Sequence, residues 1–225
     1  MVGRLIDVSH SIADGTVTYP GLPAPSVDDY LTRDEAEQTY APGVTFHIGR
    51  ICMVANTGTY VDAPFHRFAD GVDLAGLDLD QLAGRPGVVV EPSLRDGRVV
   101  DAESFSGLDL HGRAVLVRTG WDRNWGTPSY GEGHPFLSRA AAERLVEMAP
   151  AIVGIDSLNI DDITDPQRPV HTLLLGAGIP IAEHLCNLDA LPANGFRFHA
   201  VPVKVEGMGT FPVRAYAELA ESSER

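Results

Sequence analysis

The chain has little of what would carry it to a nucleic acid, a membrane or an oxidising compartment. Lys204 is its only lysine, and 17 basic residues face 31 acidic ones for a formal net charge of −14. Phosphate backbones and anionic lipids are bound by clustered Lys and Arg, so this balance argues against both as partners. The two cysteines, Cys52 and Cys186, offer at most one disulfide and no CxxC spacing for zinc or redox chemistry. Apolar runs such as Val88-Val-Val and Pro180-Ile-Ala break after a few residues, far short of the roughly 20 that cross a bilayer. The opening Met1-Val-Gly-Arg-Leu-Ile-Asp has neither the apolar stretch nor the small-residue cleavage site of a secretory signal. These absences fit a reducing cytoplasm. Also missing are GxGxxG after a strand, GxxxxGK[ST] and the GxSxG elbow, which argues against a nucleotide cradle and a serine hydrolase of the common α/β type.

What is present points to one globular unit. At 225 residues and 44% hydrophobic content the chain can bury a substantial core, so a single domain over residues 1–225 is expected. Segments 4–8, 44–54, 85–90, 114–119, 151–155 and 197–204 are rich in branched or aromatic residues between Gly, Pro and Asp, and read as strands. The clearest helix covers 138–148, where Ser138 can cap and Ala141, Leu145 and Met148 recur on one face. Shorter helices are expected at 77–82 and 181–187. Sixteen prolines and 23 glycines imply long connections, at 19–26, 124–134 and 161–169. The polar end, 218–225, is expected to fray. Strands with a few interspersed helices argue for an α/β or α+β domain rather than clean βαβ alternation.

The most informative stretch is Asn56-Thr-Gly-Thr-Tyr-Val-Asp-Ala-Pro-Phe-His66. Its polar and ionisable side chains at 56, 60, 62 and 66 share one parity, and in an extended chain residues two apart point the same way. Gly58 would let another backbone or a ligand approach closely, and Pro64 should end the strand and present His66 at a loop edge. The pattern describes either a polar pocket or a self-satisfied turn network in which Asp62 accepts backbone N–H bonds and Tyr60 is half buried.

The stretch resembles the His-x-Gly-Thr-His-x-Asp-x-Pro-x-His motif of the cyclase family, which includes bacterial kynurenine formamidases and isatin hydrolases. Further matches follow in order: Leu5-Ile-Asp-Val-Ser-His10, Val115-Leu-Val-Arg-Thr-Gly-Trp121, Val153-Gly-Ile-Asp-Ser-Leu-Asn-Ile-Asp161, His171-Thr-Leu-Leu-Leu175, Ile181-Ala-Glu183 and Pro212-Val-Arg-Ala. The resemblance implies the family's swivelling β/β/α fold with a mixed sheet, a small-molecule substrate, and a homodimer or homotetramer in which a neighbour helps close the pocket. Carried over residue by residue, it places Asn56 and Tyr60 where the family has two metal-binding imidazoles, and neither an amide nor a phenol is a normal substitute. Asp62, His171 and Glu183 match metal ligands, and His66 matches the catalytic base. One divalent ion, zinc or manganese, on Asp62, His171 and Glu183 is the reading this favours. The competing reading is metal-free, with Tyr60 as hydrogen-bond donor or acid, Asn56 orienting a carbonyl and His66 as base.

The implied function is hydrolysis of a small amide, lactam or lactone by activated water. The alternatives are a cyclase, dehydratase or lyase in which His66 removes a proton from a hydroxy-carbonyl or polyketide-like substrate, and a binding protein without turnover. Among other candidates, His47 lies on the expected strand leading into the motif. Trp121 and Trp125, in a loop rich in Gly that also holds Tyr130, form either an aromatic wall for a ring-shaped substrate or ordinary loop packing. Asp156 and Asp161 are expected to support the site or the subunit contact rather than bind metal directly, Cys52 reads as core, and His10, His134 and His184 read as isolated structural histidines.

Overall fold

The computed structural model describes residues 3–94 and 96–220. Its strands are β1 (Leu5–Asp7), β2 (Ser26–Leu31), β3 (Ile48–Cys52), β4 (Tyr60–Asp62), β5 (Arg85–Val90), β6 (Val99–Val100), β7 (Ala114–Val117), β8 (Phe136–Leu137), β9 (Ile152–Ile155), β10 (Ile181–Glu183), β11 (Asn194–His199), β12 (Thr210–Pro212) and β13 (Tyr216–Leu219). The helices are α1 (Arg33–Glu37), α2 (Leu79–Leu82), α3 (Arg139–Met148) and α4 (Pro169–Gly176). Nine strands form one mixed sheet in the order β1-β13-β11-β5-β7-β9-β10-β4-β12. The β5-β7-β9-β10 centre is parallel and both flanks are antiparallel. The fold is the expected single-domain α/β arrangement.

Burial on both faces explains the apolar runs of the central strands. Val115, Val117, Val153, Ile155 and Ile181 point into a core with α3 and α4, while Ala114, Leu116, Ile152 and Ala182 pack on the other face with Phe196, Phe198 and Leu185. Gly87 has no room for a side chain, because a Cβ there would run into the Phe196 ring. α3 begins as expected: Ser138 Oγ accepts from Ala141 N at 3.1 Å. It stops at Ala149, which adopts φ 48°.

Three expectations fail. Residues 181–187 do not form a helix, because Ile181–Glu183 hydrogen-bonds to β9 on one side and β4 on the other. A short apolar run carries no period of its own, and tertiary pairing decides its state. The expected fraying of 218–225 fails in part: Glu218 and Leu219 belong to β13, which pairs with β1 and β11, and residues 221–225 lie outside the described residues. Cys52 is not core, since it ends the exposed β2–β3 ribbon, and neither cysteine is in a disulfide.

Helix α4 has no local signal beyond Pro169 at its first turn. Arg168 ahead of it is left-handed at φ 45° and gives no side-chain cap. The helix is capped from a distance: Asp161 accepts from Val170 N at 2.7 Å and His171 N at 3.0 Å. Among the described residues, no helix is long and apolar enough to cross a membrane.

Candidate active site

Register builds the site. Directly opposed residues of an antiparallel pair face the same way, and β4 pairs Tyr60 with Glu183 of β10 and Asp62 with Thr210 of β12. Parity puts Tyr60 and Asp62 on one face, and the two neighbouring strands add Glu183 and Thr210 to it. The face is the one covered by α4, whose His171 reaches down from above. On either side of β4 the chain turns. Gly58 turns at φ +68°, and Pro64–His66 form a single 3-10 turn. The full alternation from 56 to 66 therefore does not persist, yet Asn56, Tyr60, His66, His171 and Glu183 all line one cavity of about 470 Å³ with Tyr19, Leu22, Asn159, Arg67 and Arg168.

The hydrogen bonds fix where protons sit. Thr210 lies between Asp62 Oδ1, its close contact, and His66 Nδ1 at 2.9 Å. A carboxylate only accepts, so the threonine proton goes to Asp62, and Thr210 Oγ1 must accept from His66 Nδ1–H. In its neutral form His66 therefore keeps its lone pair on Nε2. The bulk of the Asp62 side chain is buried, and its Oδ2 has no hydrogen-bond partner. His171 Nδ1 lies 2.7 Å from Asp161 Oδ2, leaving Nε2 at 3.8 Å from both Asp62 Oδ2 and Glu183 Oε1.

Glu183 is held on three sides. Its Oε1 accepts from Ile160 N at 2.6 Å, and its Oε2 accepts from the Tyr60 hydroxyl at 2.8 Å and from Asn159 Nδ2 at 3.4 Å. The Tyr60 oxygen also meets His184 Nε2 at 3.2 Å and the Asn56 amide. Burial, then the charges of Glu183 and Asp62, push the Tyr60 pKa well above the ordinary tyrosine value, so the phenol keeps its proton.

These residues call for a cation. Burial disfavours an imidazolium at His171, but Asp161, Asp62 and Glu183 outweigh it and raise its pKa to about 10. Burial pushes Glu183 up to about 7 despite the opposing His171 charge. Asp62 is held down against its burial by His171, His66 and Thr210. An unpartnered buried carboxylate oxygen facing an imidazole nitrogen, with a second carboxylate at the same distance, is a donor set that fits one divalent ion. Asp62, His66 and His171 also bring ligand atoms within 4.8 Å of one another, the one such group among the described residues.

A family model described as "Putative cyclase" matches residues 6–162. The chain belongs to the cyclase family. It is 30% identical to the kynurenine formamidase of Geobacillus thermodenitrificans over 96% of this chain and 97% of that one. A predicted metal-dependent hydrolase from Bacillus stearothermophilus has a similar structure, with a TM-score of 0.77 at 25% identity over 96% of this chain and 98% of that one. Isatin hydrolase A from Labrenzia aggregata, bound to benzyl benzoate, shares the fold at a TM-score of 0.81 and 24% identity, covering 97% and 94% of the two chains.

All six residues expected at the site of this cyclase-family chain converge on it: Asn56, Tyr60, Asp62, His66, His171 and Glu183. Tyr60 differs from expectation in its bonding, since its one proton is committed to Glu183 and not to the open cavity. His47 does not reach the site; it is exposed and pairs with Asp29 at 2.7 Å. Trp121, Trp125 and Tyr130 do not line the cavity, and Trp125 stacks on His10 with ring centroids 4.0 Å apart. Asp161 supports the site as expected, whereas Asp156 holds the Thr119–Gly120 turn through bonds of 2.7 and 2.8 Å to their backbone N–H groups. Sequence reasoning missed Thr210, Asn159, Arg168 and His184. Only His184, beside Glu183, carried any signal.

Proposed function

We propose that this protein hydrolyses a small amide, lactam or lactone, with His66 as the general base and Asp62, His171 and Glu183 holding one divalent ion. The observation that carries the reading is a His66 side chain that lines the cavity with Nδ1 engaged by Thr210, four residues from a buried Asp62 whose Oδ2 is unpartnered. The kynurenine formamidase and metal-dependent hydrolase relatives support the same class of chemistry.

In this reading water loses a proton to His66 Nε2 as its oxygen bonds to the carbonyl carbon. The protonated His66 then returns that proton to the departing nitrogen or oxygen as the acyl bond breaks. Thr210 and Asp62 steady the imidazole through Nδ1. A divalent ion, when bound, would supply Lewis acidity toward the carbonyl and the attacking water. The mixed nitrogen and oxygen donors suit zinc or manganese. Asn56, partly exposed on the wall, orients the carbonyl, and Tyr60 holds Glu183. Arg67 and Arg168 line the same cavity in an acidic protein, which favours a substrate that carries an anionic or carbonyl-rich group.

The β2–β3 ribbon exposes Val27, Tyr30, Ile48 and Ile51, and a two-stranded ribbon is marginal alone. This supports a homodimer or homotetramer, to be checked by light scattering. Two free cysteines support a cytoplasmic setting. The deciding assay is turnover of aromatic formamides, lactams and lactones by purified protein, with and without added zinc or manganese. No turnover of any member by metal-loaded protein, alongside intact ligand binding, overturns the hydrolase reading.

A further inference from the structure

We propose that Tyr130 and His184 are positioning residues whose hydrogen-bonded chain fixes the Tyr60 phenol as a one-way donor to Glu183. The chain is continuous and buried. Tyr130 Oη lies 2.8 Å from His184 Nδ1, His184 Nε2 lies 3.2 Å from Tyr60 Oη, and Tyr60 Oη lies 2.8 Å from Glu183 Oε2. Tyr130, His184 and Tyr60 are all 4% exposed or less.

Counting protons gives the chain its direction. Both nitrogens of His184 face phenol oxygens and neither faces a carboxylate, so the buried ring is neutral and carries one N–H. With the proton on Nε2, Tyr130 donates to Nδ1, Nε2–H donates to Tyr60, and Tyr60 donates to Glu183, so every group is satisfied. With the proton on Nδ1, the Tyr130 hydroxyl hydrogen has no acceptor among the described residues. The single Tyr60 proton would then be contested by Nε2 and Glu183. Buried donors without acceptors are strongly disfavoured.

The ring is placed by its backbone. His184 stands at φ 56°, and its carbonyl accepts from Thr59 Oγ1 at 2.5 Å. Tyr130 is anchored in turn, its carbonyl accepting from Trp121 Nε1 at 3.0 Å. The segment 121–131, which does not line the cavity, thereby acts on Glu183 through two intermediaries.

The consequence for metal affinity rests on the reading of Glu183 as a ligand, but the direction of the chain does not. Nitrogen-15 NMR of imidazole-labelled protein, chelated and metal-loaded, reads the His184 tautomer directly. The expected result is neutral His184 with Nε2–H in both states. In Tyr130→Phe, a shift of the Nδ1 resonance and about tenfold weaker zinc binding in a chelator competition are expected. A His184 that is charged, or that carries its proton on Nδ1, overturns the proposal even if the variant does not fold. So does a folded Tyr130→Phe with unchanged imidazole shifts and zinc affinity. An Nε2–H tautomer with the expected Tyr130→Phe effects, in a protein that turns over no amide or lactone, supports the chain and sinks only the hydrolase reading.

Discussion

Thr210 Oγ1 lies 2.9 Å from His66 Nδ1 and gives its own proton to Asp62, so the threonine sets which imidazole nitrogen is free. Two substitutions test this. His66→Ala should lower kcat by about 10²–10⁴-fold, the usual range for a lost general base. Thr210→Val keeps the shape but not the hydroxyl, and should cost on the order of tenfold in kcat with little change in KM. Steady-state kinetics on the best substrate of the panel decides both, and a Thr210→Val enzyme at full kcat would remove the orienting role.

Metal content separates the two mechanisms. Protein purified without chelator should hold one zinc or manganese per chain by elemental analysis. Activity and metal should leave together on dialysis against a chelator, and Asp62→Asn or His171→Ala should hold less than a tenth of the metal. Full activity in metal-free protein would leave His66 to act without an ion.

Restoring the two imidazoles is a sharper check on the family comparison. Asn56 and Tyr60 stand where the motif has histidines, and their side chains now meet each other, Glu183 and His184. The double variant Asn56→His, Tyr60→His should raise the bound metal from about one toward two ions per chain, each with its own imidazole ligands. A ratio that stays at one would mean that the surroundings, not just these two positions, exclude the second ion.

Stability of the metal-free protein should peak near slightly acidic to neutral pH. His171 is raised to about 10 and Glu183 to about 7, so their contributions are full below the ordinary values of 6.5 and 4.5 and are lost as pH rises through the folded ones. Burial lowers His184 to about 3 and His10 to about 4, so their contributions are present above 6.5 and are lost as pH falls toward those values. Thermal midpoints measured from pH 4 to 10 in chelator should fall on both sides. A midpoint that climbs steadily from pH 7 to 10 would contradict the charges assigned to His171 and Glu183.

Gly209 is the backbone neighbour of the base. A Cβ there would overlap the backbone N and Cα of His66, and backbone cannot swing aside as a side-chain tip can. Gly209→Ala should therefore destabilise by about 1–3 kcal/mol and depress kcat together. Thermal denaturation and kinetics on the same preparation check it.

Much of the fold was legible because local preference and tertiary demand agreed. Val88-Val-Val90 and Ile152–Ile155 are strands by composition and by burial, and Ser138 caps α3 with its own side chain. Residues 181–187 and α4 were not legible. The first is a strand only because β9 and β4 lie on either side of it, and the second starts under a carboxylate from Asp161. Neither signal is local.

The same division holds at the site. The sequence by itself determined which chemistry was at hand: Asp62 and His66 in one short segment, His171 and Glu183 far along the chain, and an amide and a phenol at positions 56 and 60. Tertiary structure decided what each group does. Register, which no single segment encodes, set Tyr60 against Glu183 and Thr210 against Asp62. Because a hydroxyl has one proton to give, those pairings direct the Tyr60 proton to Glu183, the Thr210 proton to Asp62, and the His66 Nδ1–H to Thr210.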